Sequence, residues 1–216
     1  MALEAFPRPF PLMGCFTDDC VFDLERREVR SLTGSGSPDV AEMAPPAWIG
    51  EWSTKLLGRE EFAIWDAWLT SLRGGLRLFR GRPHKARWPL AYPRGFAGLT
   101  YGGGPFSGLG NLSNITAGRD VVTINQLPNG FALKPGDFFS IPVGSRQHIH
   151  QVLEAATASG NALTTTIEPI IRPGVSTGIA VKLFEAYCDM NLIGKPTKRR
   201  GPHGGGTISF TGQQIL

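Results

Sequence analysis

The sequence predicts a mainly β protein with one packed α-helix. An N-terminal region that combines a β-sheet with the helix precedes a C-terminal antiparallel module of β-sandwich or barrel-like form. Short apolar, β-branched segments alternate with turn residues over the second half of the chain. Gly (28) and Pro (17) make up roughly a fifth of the 216 residues, which is typical of many turns and loops. A single stretch has the periodicity of an amphipathic helix.

The clearest strands are predicted within residues 133–191. Four segments have the length and composition of strands: 138–141, 149–155, 162–171 and 179–187. Turn signals separate them at 135–137, 142–145, 159–161 and 172–174, where Pro fixes φ and Gly or Asn accepts a positive φ. This order of strands and turns predicts a compact antiparallel β module.

The helix is predicted at residues 59–73. Its apolar side chains recur every three or four residues and form one stripe: Phe62, Trp65, Trp68, Leu69 and Leu72. The two tryptophans are in principle a stacking platform. Both lie on the stripe, however, so packing into the core is the preferred interpretation.

Three segments are predicted along the chain. Residues 1–118 form a β-plus-helix region, with strands at 20–32, 47–57 and 76–80, a loop at 33–39 and a long basic loop at about 81–112. Residues 119–193 form the β module, which begins with a strand at 119–127. Residues 194–216 are a basic, Gly-rich linker and a C-terminal tail, in which 207–210 is either a last short strand or a docking segment.

Charge is divided unevenly along the chain, although the net charge is only +4. Residues 1–66 carry 6 basic and 12 acidic side chains, and residues 67–119 carry 8 basic side chains and no acidic one. Adjacent blocks of opposite sign are suited to head-to-tail contact between copies of one chain.

The basic segment supplies the candidate contact residues. They combine cations with aromatic rings: Arg77, Arg80, Arg82, Lys85, Arg87, Trp88, Tyr92 and Arg94. Three interpretations are open, namely contact with another subunit or protein partner, a solvated loop, and binding of single-stranded nucleic acid by phosphate contacts and stacking. Contact with a subunit or partner is favoured, because the acidic segment of the same chain offers a complementary surface. Nucleic acid is the least favoured.

Two histidines are the main candidates for metal chemistry. His148 and His150 lie two apart in a predicted strand, so both project from one face. A metal site needs a third ligand, for which Glu154 and Glu168 are the candidates. Phosphate-loop and nucleophile-elbow spacings are missing from the sequence. We therefore expect no enzyme activity, no cofactor and no bound metal.

Two acidic residues have structural interpretations. Asp137 follows Pro135-Gly136 at a predicted turn, where an Asp commonly caps its own backbone rather than acting as a base. Glu168 lies within an apolar strand next to Pro169, a sign of a strand edge or bulge. We expect Glu168 to pair with Arg172 or with an Arg of a neighbouring subunit.

The β module also carries a family resemblance. The residues that carry it are Leu133, Gly136, Asp137, Ile141, His150, Val152, Ala156, Gly160, Ala162, Ile167, Glu168, Pro169, Arg172, Gly178 and Val181. In this order they resemble minor tail proteins of tailed bacteriophages, of the distal tail and baseplate type. The resemblance implies a structural virion protein that forms a ring, typically a hexamer, between the tail tube and the tail tip with its fibres.

The resemblance also implies partners and a location. The partners are further copies of the chain, the tail tube protein and other tail-tip or baseplate proteins. The location is the virion tail tip, after synthesis in the cytoplasm of the bacterial host. We expect no signal peptide and no membrane span, since the N-terminus has no basic region followed by an apolar run and no segment reaches about 18 apolar residues.

Two other functions remain open at the level of sequence. One is a β-sandwich module of the tail tip that binds carbohydrate or a receptor, with Trp88, Tyr92, Tyr101 and Phe106 as a sugar platform. The less favoured one is a metal-dependent enzyme that uses His148 and His150.

Overall fold

Antiparallel strands make up most of the chain, so the predicted fold class is confirmed. The computed structural model describes residues 5–32 and 38–216, with 48% of the chain in strands and 8% in helix. The strands are β1 (Val21–Leu32), β2 (Pro38–Ser53), β3 (Phe79–Gly81), β4 (Thr100–Tyr101), β5 (Gly104–Pro105), β6 (Leu109–Ile115), β7 (Val121–Asn125), β8 (Ala132–Leu133), β9 (Phe138–Val143), β10 (Arg146–Val152), β11 (Ala156–Thr157), β12 (Leu163–Glu168), β13 (Ala180–Lys182), β14 (Cys188–Arg200) and β15 (Gly206–Gln214). One α-helix, α1 (Arg59–Ser71), precedes a 3₁₀ turn at Arg73–Gly75 within the described residues.

A five-stranded sheet in the order β1-β2-β15-β14-β3 packs against α1. The core between them is rich in aromatic rings: Phe10, Phe16, Trp52, Phe62, Trp65, Trp68, Phe79 and Phe210. Trp52 stacks on Phe210 with ring centroids 5.4 Å apart. The core role predicted for Trp65 and Trp68 is confirmed, because both rings are buried beneath the sheet.

Helix α1 begins and ends close to its predicted limits. The Glu61 carboxylate accepts a hydrogen bond from the Gly58 N–H at 3.0 Å, which satisfies one free donor at the N-terminus. The chain leaves the helix through positive φ angles at Arg73 and Gly74. Among residues 5–32 and 38–216, no helix is long and apolar enough to cross a membrane.

The predicted β module is a closed six-stranded barrel in the order β10-β12-β7-β6-β13-β9. Alternate residues of β7 and β12 point inward, as in any strand with one buried face. The barrel core consists mainly of aliphatic side chains, together with the rings of Phe96, Phe106, Phe131 and Phe139.

Several predicted strands differ in extent from the observed ones. The segment predicted at 179–187 is a strand only in β13, and the segment predicted at 162–171 ends with β12 at Glu168, next to Pro169. Strand β6 and the first half of β2 were not predicted. The predicted loop at 33–39 falls mostly on residues 33–37, which lie outside the described residues, while Pro38 and Asp39 belong to β2.

The prediction of a linker and tail at 194–216 is wrong for most of the segment, whereas the last short strand considered at 207–210 is present within β15. Strand β14 continues to Arg200, and β15 lies at the centre of the sheet between β14 and β2. The basic residues of this segment are exposed on the outer part of β14, where Lys198 and Arg200 both pair with Asp66 of α1. A strand with a solvated, charged face has the same composition as a linker, which explains the error.

Both ends of the chain contribute to the sheet, and the barrel is inserted between them. The sheet and the barrel contact each other through polar and aromatic groups. The Trp48 indole N–H donates to the Ile149 carbonyl at 2.9 Å, and the Gln147 N–H donates to the Asp189 carboxylate at 3.2 Å. Phe138 of the barrel also lies edge-on to Trp48, with ring centroids 5.6 Å apart.

Candidate functional site

Three cations of the predicted contact set pair with acids of the same chain. The Glu185 carboxylate contacts the guanidinium groups of Arg82 at 3.4 Å and Arg87 at 3.0 Å. The ammonium group of Lys85 lies 2.9 Å from the carboxylate of Asp18. These pairs use part of the basic segment inside the molecule, although Lys85 and Arg87 remain exposed.

The other cations of the set do not form one cluster. The Arg77 guanidinium lies over the ring of Phe6, 4.6 Å from its centroid. Arg80 projects from β3 and lies over the ring of Tyr187 at 5.2 Å. Arg94 is exposed on the loop between β3 and β4. The predicted partner-contact residues therefore lie at several places along the surface, and their role stays a prediction.

The aromatic rings of the basic loop pack onto the barrel. Trp88 stacks on Phe184 at 5.3 Å, and Tyr92 stacks on Phe131 at 4.9 Å. The hydroxyl oxygen of Tyr92 also accepts a hydrogen bond from the Ala132 N–H at 2.9 Å. Phe106 is buried, and Tyr101 is 37% exposed. This packing does not present the four rings as one open platform for a sugar.

Asp137 holds the same loop in place. Its carboxylate accepts hydrogen bonds from the backbone N–H groups of Lys134 and Leu90, both at 2.7 Å. The first bond is the predicted turn cap, and the second joins the turn to the basic loop. Burial raises the pKa of Asp137 above its ordinary value, while the two N–H donors act in the opposite direction.

The outer part of the β1–β2 hairpin exposes apolar side chains. We call residues 28–31 of β1 and 39–43 of β2 the hairpin arm. Its strands pair with each other and with no other strand of the described chain. Val29 is 52% exposed and Val40 is 50% exposed. The register places Val29 opposite Ala41 and Val40 opposite Arg30, so the two valines lie on opposite faces.

A cleft of about 510 Å³ lies between the base of the hairpin arm and one end of the barrel. Its walls include Arg26, Glu42, Met43, Pro45, His148, His150, Glu168, Arg172 and Gln214. The Arg26 guanidinium is 2.8 Å from the Glu168 carboxylate and 3.5 Å from that of Glu42. Glu168 therefore pairs with Arg26 of the same chain, and the expected pairing with Arg172 is wrong.

The two histidines line this cleft. His148 and His150 lie on one face of β10, as predicted, and both are buried. Burial lowers the pKa of each imidazole to about 4, and the positive charge of Arg172 adds to the effect. In the described part of the chain, no group of three His, Cys, Asp or Glu residues is placed to hold a metal ion. Glu154, one candidate third ligand, instead accepts a hydrogen bond from Thr166 at 3.0 Å.

Comparisons with known proteins give no further assignment. No protein-family model matches the chain, and no curated protein matches it with significant similarity.

Proposed function

We propose that this chain is a structural virion protein of a long-tailed phage, similar to the distal tail and baseplate proteins that its β module resembles. Copies of the chain assemble into a ring, six by the resemblance, that joins the tail tube to the tail tip and its fibres. The tail tube protein and other tail-tip proteins are its partners. The proposal assigns no catalytic reaction, cofactor or metal.

The hairpin arm is the observation that carries this proposal. A two-stranded hairpin is at best marginally stable in water when nothing packs on it. The arm nevertheless exposes an apolar side chain on each face, Val29 on one and Val40 on the other. Because each valine is already about half covered, removing the rest of its surface from water stabilises the covered state by roughly 1 kcal/mol. An element of this kind is suited to insertion between neighbouring subunits.

The distribution of charge favours a second copy of the chain as the occupant. Residues 1–66, which include the arm, hold an excess of acidic side chains, and residues 67–119 hold only basic ones. Exposed cations such as Arg94 on the basic loop and Arg199 on β14 are available to an acidic neighbour. A contact between unlike surfaces of identical chains is head-to-tail, and it generates a ring when the rotation closes.

Native mass spectrometry and negative-stain images over a range of concentrations test the proposal. We expect closed rings of one defined stoichiometry. The double substitution Val29→Glu with Val40→Glu places charges on both faces of the arm and should weaken assembly at least about tenfold. Leu153→Glu, at a similarly exposed leucine outside the arm (45%), is the matched control and should assemble normally.

Two results would count against the proposal in different ways. If the chain is a strict monomer at every concentration, and if assembled particles also contain it as single copies, the proposed ring does not exist. Rings that form equally well with the two glutamates would retain self-assembly but exclude the arm as the contact.

A further inference from the structure

The cleft at the base of the hairpin arm lies at the mouth of the barrel. Strand β10 pairs with β12 only at Gln151 and Val152, so residues 146–150 have no partner strand on that side within the described chain. Residues 169–173 follow β12 and form part of the cleft wall, and the base of the hairpin arm forms the opposite wall. The mouths of β-barrels are common places for small ligands, and their sites typically measure about 300–1,000 Å³. The cleft has the right position and size for such a site.

His150 brings an unsatisfied hydrogen-bond acceptor to the cleft wall. Its Nδ1 lies 2.7 Å from the carbonyl oxygen of Pro169. A carbonyl oxygen only accepts, so Nδ1 carries the proton and the neutral ring leaves Nε2 as an acceptor. This Nε2 is buried and has no hydrogen-bond partner among the described residues. Buried polar atoms of folded proteins are nearly always satisfied, so the atom calls for a donor from outside the chain.

Gln214 brings an unsatisfied donor to the same cleft. Its side-chain oxygen accepts a hydrogen bond from the backbone N–H of Trp48 at 3.3 Å, which orients the amide. The amide nitrogen is then a donor, and it too is buried without a partner in the part of the chain that the structure describes. A hydroxyl group both donates and accepts, so hydroxyl-bearing ligands match an unfilled acceptor and an unfilled donor.

Arg172 gives the cleft a positive charge that no acid of the described chain neutralises. Glu168, the nearest acid in sequence, pairs with Arg26 instead. Partial burial lowers the pKa of the Arg172 guanidinium, which indicates that it has lost part of its water shell. A guanidinium binds a carboxylate through two parallel hydrogen bonds, so this end of the cleft is suited to a carboxylate.

The remaining walls are flat and apolar. Pro45 and Pro46 line the cleft from the hairpin, and Pro169, Ile170 and Pro173 line it from the barrel. Rigid rings of this kind offer contact area to the C–H face of a ligand ring with little loss of side-chain entropy on binding. The cleft thus combines a cationic end, a hydroxyl position and apolar sides.

We propose that this cleft binds a sugar acid. The carboxylate of the ligand pairs with Arg172, a hydroxyl group meets His150 Nε2 and the Gln214 amide, and the carbon face of the ring lies on the prolines. The shared chemistry is a pyranose ring with a carboxylate, found in free uronic acids and in acidic polysaccharides. This proposal does not depend on the ring assembly proposed above.

Titration of the full chain with D-glucuronate, followed by NMR chemical shifts or calorimetry, tests the proposal. D-Glucose lacks the carboxylate and so loses the proposed contact with Arg172. Cyclohexanecarboxylate lacks the hydroxyl groups and so loses the proposed contacts with His150 and Gln214. We expect glucuronate to bind at least about tenfold more tightly than either analogue, since each loses a hydrogen bond to a charged or buried group. A glucuronate trisaccharide that binds more tightly than the monosaccharide identifies a polysaccharide as the source, and equal affinity identifies the free acid.

Two variants and one control locate the binding. Arg172→Gln should weaken glucuronate binding at least about tenfold. Met43→Trp, at a cleft residue that is 68% exposed, fills the cleft without changing the core and should abolish the shifts, so it serves if Arg172→Gln folds poorly. Arg59→Gln removes an exposed arginine of α1 outside the cleft and should leave the affinity unchanged.

Three outcomes would overturn the proposal. The first is the absence of binding up to about 50 mM glucuronate, a concentration well above the dissociation constants of specific sites; water alone would then satisfy the polar atoms. The second is equal binding of glucose or cyclohexanecarboxylate. The third is full affinity in Arg172→Gln. Measuring glucuronate binding also with the Val29→Glu, Val40→Glu variant, whose assembly should be weakened, would separate this result from the outcome of the assembly experiment.

Discussion

Burial of the two histidines of β10 makes the stability of the protein depend on pH. His148 and His150 have a pKa of about 4 in the folded chain, below the value of about 6.5 in an unfolded one. The unfolded chain therefore binds more protons between these values, and the free energy of unfolding decreases as the pH falls through this window. Each histidine should lower it by about 2 kcal/mol between pH 7 and pH 5. Urea denaturation at pH 7, 6 and 5 measures the effect.

His148→Gln is the control for this pH dependence. It removes one of the two titrating groups, and the slope of stability against pH should fall by about half. Asp137 and Asp189, whose pKa values are raised by burial, contribute with the opposite sign. The difference between the variant and the wild type cancels their contribution. An unchanged slope would show that His148 is as hydrated in the folded chain as in the unfolded one.

Asp137 is the residue that joins the basic loop to the barrel. Asp137→Ala leaves the N–H groups of Leu90 and Lys134 without their acceptor, which should lower the free energy of unfolding by about 2–4 kcal/mol. Limited proteolysis should then cut the loop at 81–108 faster than in the wild type. Asp120→Ala, at an exposed acid of the barrel, should change stability by no more than about 0.5 kcal/mol. Equal cleavage of the two variants would contradict the role of Asp137.

At the scale of elements, β15 makes the C-terminal segment part of the core. Phe210 projects from β15 into the aromatic core and stacks on Trp52. Phe210→Ala should therefore cost about 3–5 kcal/mol in guanidinium denaturation. Thr211→Ala, one position along at a half-buried side chain, should cost less than about 1 kcal/mol. If both variants lose less than about 1 kcal/mol of unfolding free energy, β15 is not part of the core.

The elements that the sequence predicts well are those whose signal is local. In α1, β7 and β9, the local sequence indicates both which side chains are buried and where the element begins and ends. Strand β15 was recognised only in part, at 207–210, although it pairs with the neighbouring β14 as well as with the distant β2, because the basic, Gly-rich residues before it have the composition of a linker. The prolines of β2 were equally misleading. Pro45 and Pro46 fall where the register between β1 and β2 shifts, a position that tolerates the loss of a ladder donor.

At the scale of the whole molecule, the cleft was beyond sequence analysis. Its polar groups come from β1, β2, β10 and β12, from the segment after β12 and from the end of β15, and only the closed barrel and the sheet bring them together. The histidine pair was recognised, and its position on one face of β10 was correct. Of the two carboxylates considered as a third metal ligand, Glu168 lines the same cleft but pairs with Arg26, and Glu154 accepts a hydrogen bond from Thr166. The charge beside the histidines is that of the cation Arg172, which sequence spacing did not reveal.

The uneven charge of the chain predicts how the proposed ring assembly would respond to salt. Contacts between an acidic surface of one copy and a basic surface of the next are screened once the Debye length falls from about 10 Å at 0.1 M salt to about 3 Å at 1 M. Contacts that Val29 and Val40 would make in the proposed ring are apolar and would not weaken in this way. We expect sedimentation equilibrium to show an association constant that falls at least about tenfold between 0.1 and 1 M NaCl and then levels off. An association constant that does not change with salt would mean that charged groups contribute nothing to the contact. Complete loss of association at 1 M NaCl would mean that the apolar faces of the arm contribute nothing.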